Sequence, residues 1–414
     1  MKLNKLFIGI MVASMCFNTA CTDLEPEIYT DVLKEDYFKT PEQFSTLIAN
    51  AYSQLAGEYG YVYREGYWSM QEYTSDEVVI PTRGTDWFDN GVPQAMHKHT
   101  WEENTRDVNN GWSFAYGGVA KCNTVLDNIK EIAGDDESQY NDEAKTLRAF
   151  YHLLAMDLYG NVAIDDNSEE VKKNGVKQYS RKEVFEWIEK EILDNLDVMD
   201  NSVRYGSMTR PVARMILAKM YLNAEVYTGT PMWEKCIEQC DSIINGGYGY
   251  MLNPDYFTTF KKDNTSNMEI IFPIVFDQVY AKGNMFHLIT LHYVHQEVYG
   301  FTTATWNGPC TLGSFYDKYA DNDLRKKQWF VGPIEKDGKV LKYSNATLEN
   351  VDAIIVDTVT TIEDGTAANT FEGPRFVKFE IEPGIEHHAN SDFPIYRYAD
   401  VLLMKAECLM RLNG

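Results

Sequence analysis

Along most of this chain apolar side chains return every three or four residues, the spacing that gathers them on one face of a helix. Phe44, Leu47, Ile48, Tyr52 and Leu55 form the first stripe, opened by Thr40 and Pro41, a capping hydroxyl followed by the residue favoured at the first helical position. A second stripe, predicted from about Trp101 to Ile132, carries Trp112, Tyr116, Val119, Cys122, Val125, Leu126 and Ile129. The third runs from Asn141 to Tyr159 through Leu147, Phe150, Tyr151, Leu154 and Leu158, and Gly160 is placed to stop it. Together the second and third predict an antiparallel hairpin. Ser180 caps a helix through Met199, Thr209 or Pro211 begins one through Tyr227, and Pro231-Met232-Trp233 begins another that ends near Ile244 before Gly246-Gly247.

Within these later helices small residues (Ala213, Ala218, Ala224) alternate with bulky ones (Met215, Leu217, Tyr221, Leu222), as stacked helical hairpins require for close approach. The hairpins read as tetratricopeptide-like, with irregular spacing. A further helix is predicted from Tyr398 to Leu412, and because a terminal repeat normally carries a cap, the pattern leads us to expect more chain beyond Gly414. Residues 246–394 differ, being rich in Gly, Asn, Thr and aromatics, with short strands such as Glu269-Ile270-Ile271-Phe272 and Ala353-Ile354-Ile355-Val356. The expected fold is therefore mostly α: a helical-hairpin scaffold over 36–245, then a loop-rich region over 246–414. Loops held on a rigid frame are where binding surfaces usually sit.

Residues 1–20 read as an export leader, with Lys2 and Lys5, an apolar run from Leu6 to Phe17, and small residues before Cys21. The apolar run is about half the roughly 20 residues that a membrane-spanning helix needs. Phe17-Asn18-Thr19-Ala20-Cys21 resembles a lipobox, in which the cysteine thiol accepts a diacylglyceryl group, and this makes Cys21 the expected lipidation site. Residues 21–35, with Asp23, Glu25 and Glu27, read as an acidic tether. A net charge of -24 argues against nucleic acid and anionic membrane surfaces as partners, since both require a basic face. The remaining cysteines, Cys122, Cys236, Cys240, Cys310 and Cys408, lack metal-ligand spacing and read as buried free thiols.

Several ordered segments carry a resemblance. They are Ser75-Asp76-Glu77 with Arg83 following; Gly117 to Leu126; Glu143 to Tyr151, continuing through Leu158-Tyr159-Gly160-Asn161-Val162; Ala213 to Leu222; and Pro394 to Glu407. In this order they resemble the SusD/RagB family of nutrient-binding outer-membrane lipoproteins. The resemblance implies a SusD-like α-α superhelix at the cell surface, a glycan ligand, and a SusC-like TonB-dependent transporter as partner; some relatives are thought to take peptides or other nutrients.

A binder of neutral sugars needs flat aromatic faces to stack on the ring, with Asp, Asn, Arg or Gln for the hydroxyls. Two loops outside the helical stripes combine these, Pro81 to Gly91 and Tyr299 to Gly308, and they supply the ligand-site candidates Arg83, Asp86, Trp87, Tyr299, Trp306 and Asn307. Asp76 reads as a buttress, and Arg148, Asn123, Arg397 and Asp400 as structural hydrogen-bonding residues. Catalysis lacks support: GxSxG, HExxH, P-loop and GxGxxG patterns are missing, no cofactor is implied, and His97, His99, His287, His292 and His295 read as surface histidines without ligand company. A protein-interaction scaffold and a surface hydrolase are the competing readings. If Cys21 carries the anchor, Cys21→Ala moves the protein from the membrane fraction to the soluble fraction of lysed cells; retention in the membrane contradicts this.

Overall fold

The structure is a computed structural model that describes residues 41–57, 59–84, 86–133, 139–359 and 369–414. The expected leader, Cys21 and the acidic tether lie outside the described residues. Residues Phe44–Gly414 form one compact unit.

The fold is mostly helical. Helix α1 (Pro41–Tyr52) and the short α2 (Tyr67–Glu72) precede the long hairpin of α3 (Arg106–Ala133) and α4 (Gln139–Tyr159). Gly118 of α3 faces the Tyr151 ring of α4 so closely that a Cβ there would lie 2.4 Å from the ring carbons, so only glycine permits this crossing. Helix α3 starts later than its stripe suggests, because Trp101 to Thr105 form a turn in which the Glu102 amide donates to Thr105 Oγ1 at 2.9 Å. Helix α5 (Arg181–Leu196) packs on α4 and begins with a capping box: Ser180 Oγ accepts from the Glu183 amide while the Glu183 carboxylate accepts from the Ser180 amide. Helices α6 (Arg210–Leu222) and α7 (Trp233–Ile244) pair, and α10 (Tyr398–Asn413) packs on both, completing the helical frame. The helix expected to reach Tyr227 breaks at Asn223, whose side chain donates to the Lys219 carbonyl; a separate short helix, Ala224–Thr228, follows.

The buttressing roles expected within the helices are present. Arg148 donates to Asn123 Oδ1 at 2.9 Å and to the Asp166 carbonyl at 2.7 Å, and it pairs with Glu191, tying α3 and α4 to the segment after them. The later region joins the frame through strand β1 (Ile270–Ile274), buried along its whole length, which pairs antiparallel with β4 (Phe393–Arg397). Strand β4 runs directly into α10. Arg397 closes the join, its amide donating to Asp400 Oδ2 at 3.0 Å and its guanidinium pairing with Glu269 at 2.8 Å. Around this pair lie α8 (Phe286–Thr290), α9 (His295–Tyr299) and short two-stranded pieces, among them β2 (Trp329–Phe330) with β3 (Arg375–Phe376). Cys122, Cys236, Cys240, Cys310 and Cys408 are free and buried.

The histidines of the later region depart from expectation. His287, His292 and His295 are buried, not on the surface. His292 stacks on Phe371 at 4.7 Å and 19°, His295 on Tyr299 at 6.1 Å and 18°, and His287 meets Phe301 edge-on at 5.2 Å. A neutral imidazole packs as a small aromatic ring, and a polar hydropathy index hides that role. Burial is the main reason each ring resists protonation, lowering His287 and His295 to about 4 and His292 to about 2. The unfolded chain therefore takes up the proton first. Stability held by the neutral His292 ring is present above its ordinary value of 6.5 and falls as acid is added below it. The same holds for His287, and His287→Phe keeps a ring against Phe301 while removing its titration, so acid unfolding followed by circular dichroism should shift its midpoint to lower pH; an unchanged or higher midpoint contradicts this.

Candidate functional site

Three segments meet at one corner of the later region: the loop from Pro81 to Gly91, the segment from Thr305 to Cys310, and Asn369 to Arg375. Val79 and Cys310 exchange backbone hydrogen bonds at 2.8 and 2.9 Å, and Arg83 and Asp86 close a tight turn at 3.0 and 3.2 Å. Residues 306–308 are strapped to the α8 side of the fold, with the Trp306 amide donating to Leu288, Asn307 to Leu291 and Gly308 to Ile289, at 2.7, 2.9 and 2.8 Å. The backbone is strained where the loops touch. Trp87 and Asn307 have φ of 64° and 56°, a region that costs a non-glycine residue of order 1–3 kcal/mol and persists only when its surroundings fix it.

The fixing element is a buried polar hub. Asn307 is fully buried; its Oδ1 accepts from Arg375 Nε at 3.0 Å and Nη2 at 2.7 Å, while its Nδ2 donates to the carbonyl and hydroxyl of Thr370 at 2.9 and 3.0 Å. Arg375, also at 0% exposure, gives its other donors to the carbonyls of Glu372, Gly373 and Thr370. Arg83, 6% exposed, donates to the carbonyls of Asn307 and Asn369, each at 2.9 Å, and to Cys310 Sγ at 3.4 Å. Burial lowers the proton affinity of both guanidinium groups, and for Arg375 the neighbouring Arg83 charge adds to it. Gly373 sits against Cys310, where a Cβ would come within 2.4 Å of the sulfur.

On top of the hub lie two half-buried indoles. Trp87 Nε1 donates to the Trp306 carbonyl at 2.6 Å, and the Trp87 ring rests on Gly308, where a Cβ would fall 2.3 Å from Cζ2. Arg64 places its guanidinium carbon 5.6 Å from the Trp87 centroid and 5.4 Å from that of Trp306, within reach of both for cation–π attraction. Arg64 pairs with Glu65, and Arg106 lies 3.5 Å from both Glu65 and Asp89, so a charged strip borders the indoles. Next to Trp87, the exposed Asp86 accepts a hydrogen bond from Tyr293, whose ring stacks on Tyr343 at 6.1 Å and 17°. Tyr293 and Tyr343 line an open depression of about 540 Å³ with Phe301, Glu297, Lys336 and Lys342.

The residues singled out from the sequence thus separate. Trp87, Trp306 and Asp86 come together at the surface, whereas Arg83 and Asn307 are buried in the hub with their polar atoms committed to the protein. Tyr299 stacks behind Phe301 at 5.4 Å in a side cluster with Leu291, Ile385 and Ala389. Sequence reading missed Arg64, Tyr293, Tyr343 and Arg375. The available signal is an aromatic outside the helical stripes flanked by Gly, Asp, Asn or Thr; Arg64 and Arg375 are not aromatic, and Tyr293 and Tyr343 lack those flanks. Among the described residues no group of three or more His, Cys, Asp or Glu could hold a metal ion, and no helix is long and apolar enough to cross a membrane. The arrangement gathers two half-buried indoles, an arginine lying over their rings, and a carboxylate with a phenol beside them, groups that can stack on a sugar ring and hydrogen-bond its substituents.

Asn307→Leu leaves the Arg375 charge buried without its best acceptor, and should lower the free energy of unfolding by about 3 kcal/mol in urea titration. Asn307→Asp, which keeps an acceptor oxygen, should lose less; equal stability of the leucine variant and the unmodified protein contradicts the hub.

Comparison with known proteins gives matches along the whole described chain. Residues 215–414 match the model of the SusD family, and residues 29–222 match a family described as starch-binding associating with outer membrane. The starch-binding protein SusD of Bacteroides thetaiotaomicron is 26% identical over 242 residues, 56% of this chain and 41% of that protein. The SusD-like protein P2 of Formosa agariphila is 23% identical over 286 residues, 65% of this chain and 52% of that protein. The matches thus span about half the length of these curated relatives or less. Among solved structures, surface glycan-binding protein A from Bacteroides thetaiotaomicron in complex with laminarihexaose superposes with a TM-score of 0.68 at 19% identity, covering 91% of this chain and 80% of that one. A SusD superfamily protein from Parabacteroides distasonis gives 0.69 at 17%, covering 91% and 78%. At such identities the likeness shows the fold.

Proposed function

The chain belongs to the SusD family, and on that premise we propose that it is a glycan-binding lipoprotein of the outer-membrane surface whose ligand stacks on Trp87 and Trp306. The observation that carries this reading is the indole pair itself: two half-buried rings, fixed by a hydrogen bond and by Gly308, with Arg64 lying over both and Asp86 beside Trp87. Rigid aromatic anchors lose little conformational freedom on binding, which is what a weakly hydrophobic, strongly hydrated ligand such as a sugar demands. The names of the relatives support the ligand class, since one is called starch-binding and another is held with laminarihexaose. Within this proposal Asp86, Arg64 and Tyr293 supply hydrogen bonds, and Arg83 and Asn307 act through the frame. Tyr299 acts from behind Phe301.

The proposal extends to the chain's organisation. Residues 1–20 are the leader, Cys21 carries the lipid, 21–35 form the tether, and the folded part divides near residue 245 into a helical and a loop-rich region. Captured glycan passes to a SusC-like TonB-dependent transporter, and the protein itself breaks no bond. What supports this is the family membership together with a site built of stacking surfaces.

Affinity electrophoresis against amylopectin, laminarin, xylan and galactomannan, followed by calorimetry, tests the site. Trp87→Ala should weaken the best glycan about thirtyfold, the loss of roughly 2 kcal/mol expected of a central aromatic anchor, and Arg64→Ala by a smaller factor. Undiminished binding by the Trp87 variant, or retention of peptides with no glycan bound, contradicts the reading.

A further inference from the structure

A second, more enclosed space is lined in part by Pro309 and Cys310, just after the segment that carries Trp306. It is a cavity of about 220 Å³ between α2, residues 77–78, β3 and β4, and rings of Trp68, Phe286, Phe379 and Phe393 contribute to its walls. Three charged side chains line it without a hydrogen bond or ion pair among the described residues: Glu72, Glu77 and Lys378. The other two charged residues there are engaged, Arg397 with Glu269 and Asp400 with the Arg397 amide. Lys378 rests its ammonium 4.5 Å above the Phe260 ring and 5.8 Å from that of Tyr256.

Half-buried charges that do not touch one another, as at Glu72 and Lys378, are costly, and proteins ordinarily pair them; Glu77 is exposed. A ligand that fills the gap must present hydrogen-bond donors to Glu72 and Glu77, an acceptor to Lys378, and an apolar face to the rings. A pyranose-sized polyol meets all of these conditions at once, because every hydroxyl both donates and accepts while its C–H face is flat and apolar. We propose that this cavity is a separate binding site for a single neutral sugar unit, held by Glu72, Glu77 and Lys378 over the Trp68 side of the chamber.

The titration behaviour of the walls agrees with a neutral occupant. Burial, reinforced by Glu77, raises the Glu72 carboxyl to about 7, and burial, reinforced by Arg397, lowers Lys378 to about 8. Both groups therefore titrate close to neutral pH and can offer donors as well as acceptors to a neutral ligand. The volume suits a small ligand better than a polymer. The site shares only the ligand class with the proposed glycan platform and uses none of its stacking residues.

Calorimetry and saturation-transfer NMR on the full chain, using glucose, galactose, mannose, xylose and arabinose and, separately, free amino acids, test the site. At least one of the sugars should bind saturably, at least tenfold more weakly to Lys378→Met and to Glu72→Gln, and unchanged to Trp87→Ala. Glu72 has no hydrogen bond or ion pair to lose and Lys378 only its contacts with the Phe260 and Tyr256 rings, so thermal melts of both variants beside the binding measurement separate misfolding from loss of the site. The proposal is overturned if none of these sugars binds, if an amino acid binds instead, or if both cavity variants retain the sugar at full affinity. Loss of polysaccharide binding in Trp87→Ala belongs to the platform alone, so the two proposals fail separately.

Discussion

The candidate platform depends on a charge placed where water cannot reach it. Arg375 is fully buried, and among the described residues its guanidinium hydrogen-bonds no carboxylate; it is held by Asn307 Oδ1 and by three backbone carbonyls. Burying a guanidinium costs several kcal/mol, and only complete hydrogen bonding makes the arrangement tolerable. That demand fixes the backbone around it. Asn307 must keep its left-handed conformation to aim its amide oxygen at Arg375, and Arg83 reaches in to hold the Asn307 carbonyl. Trp306 precedes Asn307 and Gly308 follows it, so the hub sets both the carbonyl that anchors Trp87 and the bare backbone on which Trp87 lies.

The helical frame does different work. Its hairpins bury small residues against large ones, as at Gly118 and Tyr151, and its polar ties, such as Arg148 to Asn123 and Glu191, lock helices to the segments between them. The β1–β4 pair transmits that rigidity to the later region because β4 passes straight into α10. A platform of loops is then held as firmly as the frame beneath it, which is the condition under which stacking a flexible ligand is favourable.

The frame was legible in the sequence because its signals are local. Ser180 with Glu183 marks a helix start, and the stripes of α3 and α4 repeat without interruption. The platform was half legible. Trp87 and Trp306 stand out beside aspartate and asparagine, but Arg64 lies in a turn with no periodic pattern, and Tyr293 follows a histidine read as surface. Arg375 gave no local sign at all, since its importance comes from meeting Asn307, 68 residues earlier in the chain. Arg83 and Asn307 were drawn toward the ligand by the same loops, and their burial reassigns them to the frame. Polar side chains whose partners lie far off in sequence look alike whether they serve a ligand or a core.

The most direct test of the account is a crystal structure of the protein soaked with the oligosaccharide it binds best, set beside the unsoaked crystal. The account predicts a sugar ring stacked on Trp87 or Trp306, with Arg64 or Asp86 at its hydroxyls and the backbone of residues 305–310 displaced by no more than about 1 Å. A sugar seated away from both indoles, or an Asn307–Arg375 contact broken on binding, contradicts it.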